Sequence, residues 1–256
     1  MTQAFAHLAL RGALAPYQFI HDARFADPGG GRDGGRGAKG ERSEAMAPLN
    51  GSRLREAARQ LCAKDKDLRR LLEVHGPPPL WARRPGFRTL IRIILEQQVS
   101  LASAQATFRR LLEGVAPFTP ERVAELGADH LRSLGVTRQK AGYCAGVAEA
   151  VHDESLDLGA VTRMDDGAAA STLRRLKGIG PWTAEIYLLM ALRRPDVWPS
   201  GDVALIQAVR AVKRLRRRPS EVRAAEIAQA WRPFRSVAAR MLWQHYLAVL
   251  TPSRGA

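Results

Sequence analysis

Apolar residues recur every three or four positions along most of the chain after Ser52. This spacing places apolar side chains on one face of an α-helix. The longest such region begins at Phe87, and its apolar positions are Phe87, Leu90, Ile91, Ile94, Leu95, Leu101, Phe108, Leu111 and Leu112. We predict two helices in this region, with a break near Val99 and Ser100.

Helix-start and helix-stop residues divide the remaining chain into further helices. Ser52 is a predicted N-cap, and a second short helix is predicted to end near His75, before the glycine and three prolines of residues 76–79. Thr119 and Ser220 are also predicted N-caps. Further helices are predicted from about 138 to 151, from Asp165 or Asp166 to Lys177, from Trp182 to about 193, from after Asp202 to about 215, and over 234–250.

No segment of the folded region shows the alternating pattern of a strand, and no internal repeat is present. We therefore predict an all-α fold, with two helical lobes and a central cleft. Residues 1–51 differ, because glycines dominate 28–37 and such a tract cannot bury enough apolar surface to fold. A short helix or strand near residues 8–20 is an alternative for part of this segment. The predicted organisation is a poorly ordered extension over 1–51 and one folded domain over 52–252.

The chain of 256 residues is strongly basic, with 40 basic and 25 acidic side chains and a formal charge of +15. Such an excess favours a polyanionic partner, most often nucleic acid. The alternatives are a charge that maintains solubility, or a compositional bias toward arginine. We expect no membrane partner, because no apolar run approaches the length of a bilayer span.

The two cysteines, Cys62 and Cys144, are far apart in the sequence. Isolated cysteines are typical of reduced thiols in a cytoplasmic protein, and two cannot form a four-cysteine zinc or iron–sulfur site. The N-terminal residues do not match a secretory signal. We expect a cytoplasmic protein, associated with the nucleoid in a bacterium, that needs no metal and no organic cofactor.

A glycine-rich hairpin lies at the centre of residues 173–205. Gly178 and Gly180 allow positive φ angles and close approach of a ligand to the backbone, and Pro181 suits the first position of the next helix. A helix start of this kind presents free N–H groups that can bind a phosphate. Taken alone, the two glycines also fit an ordinary turn between helices.

The hairpin, the Pro-Trp-Thr-Ala of residues 181–184 that follows it, and the Gly-Asp of residues 201–202 together resemble the helix-hairpin-helix DNA glycosylases, and within them the 3-methyladenine DNA glycosylase II family. The resemblance covers roughly residues 52–250. It implies that the hairpin binds DNA backbone phosphates and that Asp202 is the catalytic acid. The implied hairpin residues are Lys177, Gly178, Ile179, Gly180 and Thr183.

Asp202 also has a structural interpretation, since a Ser-Gly-Asp sequence before an apolar helix is a typical N-cap. The two roles are compatible, because the helix dipole keeps the carboxylate ionised and the cap fixes its direction. A glycosylase needs such a charge near C1′, where the sugar becomes oxocarbenium-like as the base leaves.

The resemblance also implies a base pocket formed by Trp182, Trp243, Tyr187 and Gln97. In superfamily members that also cleave the strand, a lysine occupies the position of Trp182 and forms a Schiff base. The tryptophan therefore implies a monofunctional glycosylase that uses water. Trp243 is predicted to lie on the opposite side of the last helix from its main apolar stripe. Each of these residues has an alternative role: Trp243 in packing, and Gln97 or Gln98 in joining helix ends.

We therefore expect a monomeric enzyme that flips alkylated purines, such as 3-methyladenine and 7-methylguanine, out of duplex DNA and hydrolyses the N-glycosidic bond. The alternatives are a glycosylase for other damaged or mismatched bases and a non-catalytic DNA-binding module. Lys140 or Arg138 is a candidate phosphate contact. The basic run at residues 213–218 fits a solvated helix end. The side chain that fills the gap left by the flipped base is not assigned.

Overall fold

The computed structural model describes residues 47–250, which are helical and contain no strand in that range. The all-α prediction is thus confirmed for the described part of the chain. The predicted extension falls mostly on residues 1–46, which lie outside it. The helices are α1 (Gly51–Lys64), α2 (Lys66–His75), α3 (Phe87–Glu96), α4 (Leu101–Gly114), α5 (Pro120–Ser133), α6 (Arg138–His152), α7 (Leu158–Arg163), α8 (Asp166–Arg174), α9 (Pro181–Ile186), α10 (Val203–Val212), α11 (Glu221–Ala228) and α12 (Arg235–His245).

Several helices start where their caps were predicted. Thr119, Asp165 and Ser220 each accept a hydrogen bond on their side-chain oxygen from the backbone N–H three residues later. Ser100 caps α4 in the same way, which confirms the predicted break after α3. These contacts satisfy N–H groups that a helix start leaves without intrahelical partners. The first helix of the hairpin, α8, ends at Arg174 rather than at the predicted Lys177.

The start of α1 corrects the prediction. Asn50, and not Ser52, is the N-cap, and its side-chain oxygen accepts from the N–H of Arg53 at 2.9 Å. Leu49 is buried, and its N–H donates to the carbonyl of Arg193 at 2.7 Å. The packed part of the chain therefore begins before residue 52, because Leu49 fills the core and its backbone is anchored to a distant segment.

The helices form two groups with a cleft between them. Helices α1, α2 and α10 pack against α12, and α11 packs against α10, whereas α3 packs against α4 and α6 and α5 packs against α6. Helix α9 continues as a π-helical turn, Tyr187–Ala191, which contacts both α3 and α8. The cleft opens beside α9, as the two-lobed prediction required. Among the described residues, no helix has the length and apolarity needed to cross a bilayer.

Helix α12 is the central helix of its group. Every residue from 236 to 243 is buried, so both the predicted apolar stripe and the opposite face are covered. The Arg240 side chain has no exposure, and its guanidinium donates to the carbonyls of Leu80, Leu189 and Ser236 at 2.8–3.0 Å. A buried cation must be compensated by hydrogen bonds, and three segments supply them here.

Candidate active site

The cleft has a volume of about 1110 Å³ and is lined by four segments. They are the loop after α3 (residues 96–99), the start of α6 (137–140 and 143), the hairpin (178–180, 182 and 183) and the start of α10 (201–204). The end of α3 and the starts of α6, α9 and α10 therefore converge on one cavity. Helix termini carry unsatisfied backbone groups and partial charges, so this cavity is the natural place to look for chemistry.

Asp202 lies in the wall of the cleft, with only 4% of its surface exposed. It is the N-cap of α10, and its Oδ1 accepts a hydrogen bond from the N–H of Leu205 at 2.8 Å. This contact fixes the direction of the side chain. The structural role proposed from sequence is thus present, in a geometry that leaves Asp202 at the cavity.

Two tryptophans hold the Asp202 carboxylate. The indole Nε1 of Trp182 donates to Oδ2 at 3.0 Å, and the Nε1 of Trp243 donates to Oδ1 at 3.2 Å. Trp182 lines the cleft, whereas Trp243 is completely buried behind the carboxylate and is absent from the cleft surface. The predicted residues Asp202, Trp182 and Trp243 are therefore brought together, although only one of the two indoles faces the cavity.

Sequence reasoning missed Tyr246, which follows Trp243 by nearly one helical turn and has no exposed surface. Burial, and to a smaller extent the charge of Asp202, raises the pKa of Tyr246 to about 12. The phenol therefore stays neutral near the carboxylate. The available signal was its i+3 spacing from Trp243, which places both rings on one face of the last helix.

Gln97 joins the loop after α3 to the hairpin. Its Nε2 donates to the Gly178 carbonyl at 2.9 Å and to Oγ1 of Thr183 at 2.8 Å. This is the helix-joining role considered for this residue, and Gln97 also lines the cleft. Thr183 is almost fully buried at this contact.

Lys140 binds the same loop from α6. Its ammonium group donates to the carbonyls of Leu95 at 2.7 Å and Gln97 at 2.6 Å, and burial lowers its pKa. These carbonyls lie at the end of α3, where a cation is favoured by the helix dipole. Lys140 and Arg138 are the two candidate phosphate contacts at the start of α6. The ammonium group of Lys140 is already bound to backbone carbonyls of the cleft wall, whereas Arg138 is exposed at the cleft surface.

Gly178 has a φ of 90°, a conformation that favours glycine. A Cβ atom there would lie 2.2 Å from Cγ of Tyr143, so the ring leaves no room for a side chain. Gly180 is the N-cap of α9, and a Cβ atom there would have no neighbour within 4 Å. Ile179 between them is buried, and Lys177 is exposed on the approach to the turn.

Tyr187 lies in the protein core and does not line the cleft. It has no exposed surface, and its hydroxyl accepts a hydrogen bond from the N–H of Gly86 at 2.8 Å. Tyr187 begins the π-helical turn, whose five residues are all buried. The residue predicted for the base pocket instead connects α9 to the segment before α3.

Glu96 is held by two arginines. Its carboxylate accepts two hydrogen bonds from Arg83, at 2.9 and 3.0 Å, and one from Arg92 at 3.1 Å. Only 6% of Glu96 is exposed, and a carboxylate at this depth requires such partners. The acidic residue therefore contributes to the cleft wall without adding an unpaired charge.

Over residues 47–250, no group of three or more histidine, cysteine or acidic side chains is close enough to hold a metal ion. Cys62 and Cys144 are both buried and unpaired. Burial raises the pKa of the Cys144 thiol to about 12, so it is not a reactive nucleophile. The carboxylates at the cleft are Asp202 and Glu96, and its one lysine is Lys140. Glu96 is paired with two arginines, and Lys140 is bound to two backbone carbonyls.

In comparison with known protein families, residues 91–233 match the family described as HhH-GPD superfamily base excision DNA repair protein. The DNA-3-methyladenine glycosylase of Bacillus subtilis is 30% identical over 185 residues, 68% of this chain and 59% of that protein. DNA-3-methyladenine glycosylase 1 of Schizosaccharomyces pombe is 28% identical over 199 residues, 75% of this chain and 87% of that relative. The chain spans about three fifths of the length of the two B. subtilis relatives that it matches.

A solved structure shares the fold. The S. pombe 3-methyladenine DNA glycosylase Mag1, in complex with abasic DNA, has a TM-score of 0.68 at 26% identity. The similarity covers 73% of this chain and 95% of that one. The family match includes Gln97, the hairpin and Asp202, and it ends before Trp243.

Proposed function

The chain belongs to the HhH-GPD superfamily of base excision DNA repair proteins, and from that membership we propose that it is a DNA glycosylase. Its proposed substrates are alkylated purines in duplex DNA, such as 3-methyladenine and 7-methylguanine. The reaction is hydrolysis of the N-glycosidic bond, which leaves an abasic site. The observation that carries the proposal is the Asp202 carboxylate, held in the cleft wall by two indole N–H groups.

Asp202 supplies the negative charge that this reaction needs. As the base departs, C1′ of the sugar gains positive charge, and a nearby fixed anion stabilises it. The N–H groups of Leu205, Trp182 and Trp243 hold the carboxylate in place before the reaction begins, so no reorganisation is required. The same carboxylate orients or deprotonates the attacking water.

Trp182 accounts for the preference for alkylated bases. Its indole faces the cleft, and purines methylated at N3 or N7 are cationic. An aromatic face attracts a cation by roughly 1–2 kcal/mol once both are desolvated. Because Trp182 stands where a Schiff-base lysine would be needed, the proposed enzyme is monofunctional, of the glycosylase II type, and lacks lyase activity.

The hairpin supplies the proposed grip on DNA. The start of α9 faces the cleft through Gly180, which has no side chain of its own and open space where a Cβ atom would lie, and a helix start of this kind suits a phosphate. Binding of this kind is independent of sequence and suits a search for damage. We propose that the protein acts as a cytoplasmic, nucleoid-associated monomer on double-stranded DNA, without a metal or organic cofactor.

The test is release of free methylated purines from methylated duplex DNA, measured by chromatography. Asp202→Asn is the matched variant, since asparagine is also a good N-cap and preserves the start of α10. We expect release by the wild type, and loss of release by Asp202→Asn at equal DNA affinity. Equal release by both proteins would remove Asp202 from catalysis. No release by the wild type would favour the non-catalytic module.

Two further measurements test the reaction type and the substrate class. Strand nicking by the wild type, assayed in the same reactions, would contradict the absence of lyase activity. Competition among alkylated, oxidised and mismatched bases in one assay distinguishes the proposed substrates from other lesions. We expect the alkylated purines to be released preferentially, because the neutral lesions lack the charge that favours stacking on Trp182.

A further inference from the structure

The basic segment, residues 214–218, follows the end of α10 and contains four arginines: Arg214, Arg216, Arg217 and Arg218. All four are exposed, and no acidic residue occurs between 203 and 220. Within the described range of 47–250, none of the four pairs with a carboxylate. The preceding Lys213 differs, because Asp65 and Asp67 neutralise it at 2.7 and 2.9 Å.

The backbone of this segment starts with an unfavourable residue. Arg214 has a φ of 52°, and its N–H donates to the carbonyl of Ala211, while the N–H of Leu215 donates to that of Arg210. This pattern is a Schellman motif, in which the left-handed position is usually glycine. A bulky side chain there is destabilising relative to glycine. The arginine is therefore not explained by local stability.

The segment also leads back to the cleft. It leaves the far end of α10, about 15 Å from Asp202 by helix rise. Seven residues after Arg214 comes Glu221, which lies against Gly201 in the cleft wall: a Cβ atom on Gly201 would be 3.3 Å from Glu221 Oε2. Arg216, Arg217 and Arg218 thus lie within about 10–18 Å of chain length from the cleft rim.

We propose that the basic segment is a second DNA-binding surface, which contacts backbone phosphates on the flank of the cleft. Successive phosphates of one strand are spaced about 3.4 Å along the axis of the duplex, so this span corresponds to positions a few nucleotides from a base bound at Asp202. The inference rests on the proposed function only in taking duplex DNA as the partner. It assigns a positional role to arginines whose charges would otherwise be left to solvent.

The test is affinity for an undamaged duplex, measured over a range of salt concentrations. The triple variant Arg216→Gln, Arg217→Gln, Arg218→Gln should reduce the slope of log affinity against log salt by about 2–3, because each phosphate contact contributes about 0.9. The matched control is Arg122→Gln, Arg132→Gln, Arg163→Gln, which changes the formal charge equally on α5 and α7, helices that do not line the cleft. It should leave the slope nearly unchanged.

Arg214→Gly separates DNA contact from stability. The glycine relieves the left-handed strain, so the unfolding midpoint should rise, while the salt slope falls by about 1. Equal slopes for the triple variant and its control would overturn the proposal, as would an unchanged slope in both the triple variant and Arg214→Gly. Because an undamaged duplex is used, failure of base release by the wild type would leave this result interpretable.

Discussion

The ammonium group of Lys140 donates a 2.6 Å hydrogen bond to the backbone carbonyl of Gln97 in the wall of the cleft. The side chain of Gln97 in turn donates to the carbonyl of Gly178. One chain of contacts thus runs from α6 through the loop after α3 to the hairpin. Lys140 is a positioning residue for the hairpin, the proposed DNA-binding turn, although its side chain reaches no part of the hairpin directly.

Lys140→Met should therefore weaken both stability and base release. Methionine retains an apolar stem but leaves the carbonyls of Leu95 and Gln97 without their donor, at a cost of about 1–3 kcal/mol in the free energy of unfolding. Chemical denaturation and single-turnover release measure the two effects. Arg138→Met is the control for stability, since that neighbour is exposed. Equal stability of the two variants would contradict the role of Lys140.

Trp243→Phe tests the hydrogen bond from the buried indole to Asp202. Phenylalanine retains most of the ring but removes Nε1, so we expect base release to slow by about tenfold, or about 1.4 kcal/mol. Trp231→Phe is the matched control, because its Nε1 donates to Asp65 at 2.8 Å, outside the cleft. That variant should lose stability without slowing release. Equal slowing in both would show that Trp243 acts through stability alone.

At Trp182, two substitutions separate the ring from its N–H group. Trp182→Phe keeps an aromatic face and loses the 3.0 Å hydrogen bond to Asp202, whereas Trp182→Ala loses both. Since the indole lines the cleft and is only partly buried, Trp182→Ala should reduce base release far more than stability. Release and thermal unfolding are measured on all three proteins. An unchanged release rate for Trp182→Ala would remove the tryptophan from the base pocket.

Gly178 and Gly180 should respond differently to alanine. Gly178→Ala forces a residue with a φ of 90° against the Tyr143 ring, so we expect a loss of several kcal/mol in stability. In Gly180→Ala the new methyl group has no neighbour within 4 Å, so the variant should fold normally. The same methyl group should weaken the binding of DNA at the hairpin. Unfolding and DNA-binding measurements check both. Normal stability of Gly178→Ala would contradict the close contact with Tyr143.

The raised pKa of Tyr246 predicts that the folded protein loses stability in alkaline solution. Its pKa is raised to about 12 in the folded protein, from 10.0 for an ordinary tyrosine. Between these pH values the unfolded chain releases the phenolic proton and the folded chain keeps it, so stability falls as pH rises, by about 2 kcal/mol. Tyr246→Phe should remove this part of the decline. Cys144 titrates in both proteins, so the difference between them isolates the phenol; parallel curves would contradict the assignment.

The parts of the fold that depend on local chemistry could be predicted from sequence. Thr119, Asp165 and Ser220 act as caps because a short polar side chain reaches the third following N–H wherever it precedes a helix. Asp202 was identified by the same reasoning, together with the family resemblance. The break at Ser100 also follows from residues adjacent in the chain.

The parts that depend on distant contacts could not be predicted in this way. The packed region begins before residue 52 because Leu49 is buried and its N–H donates to the carbonyl of Arg193. Tyr187 lies in the core, where its hydroxyl accepts a hydrogen bond from the N–H of Gly86, 101 positions earlier in the chain. The partners of Lys140 lie more than forty positions away in the sequence. Helical periodicity shows which face of a helix is buried, but not which other segment of the chain covers that face.

Arg240 gives its part of the fold an unusual tolerance of acid. Its three partners are peptide carbonyls, and unlike carboxylates these oxygens do not bind a proton in mildly acidic solution. The contact of Lys213 with Asp65 depends on an ionised carboxylate and weakens once that carboxylate is protonated. The attachment of α12 to the loop before α3 should therefore outlast that of α10 to α2 as the medium is acidified.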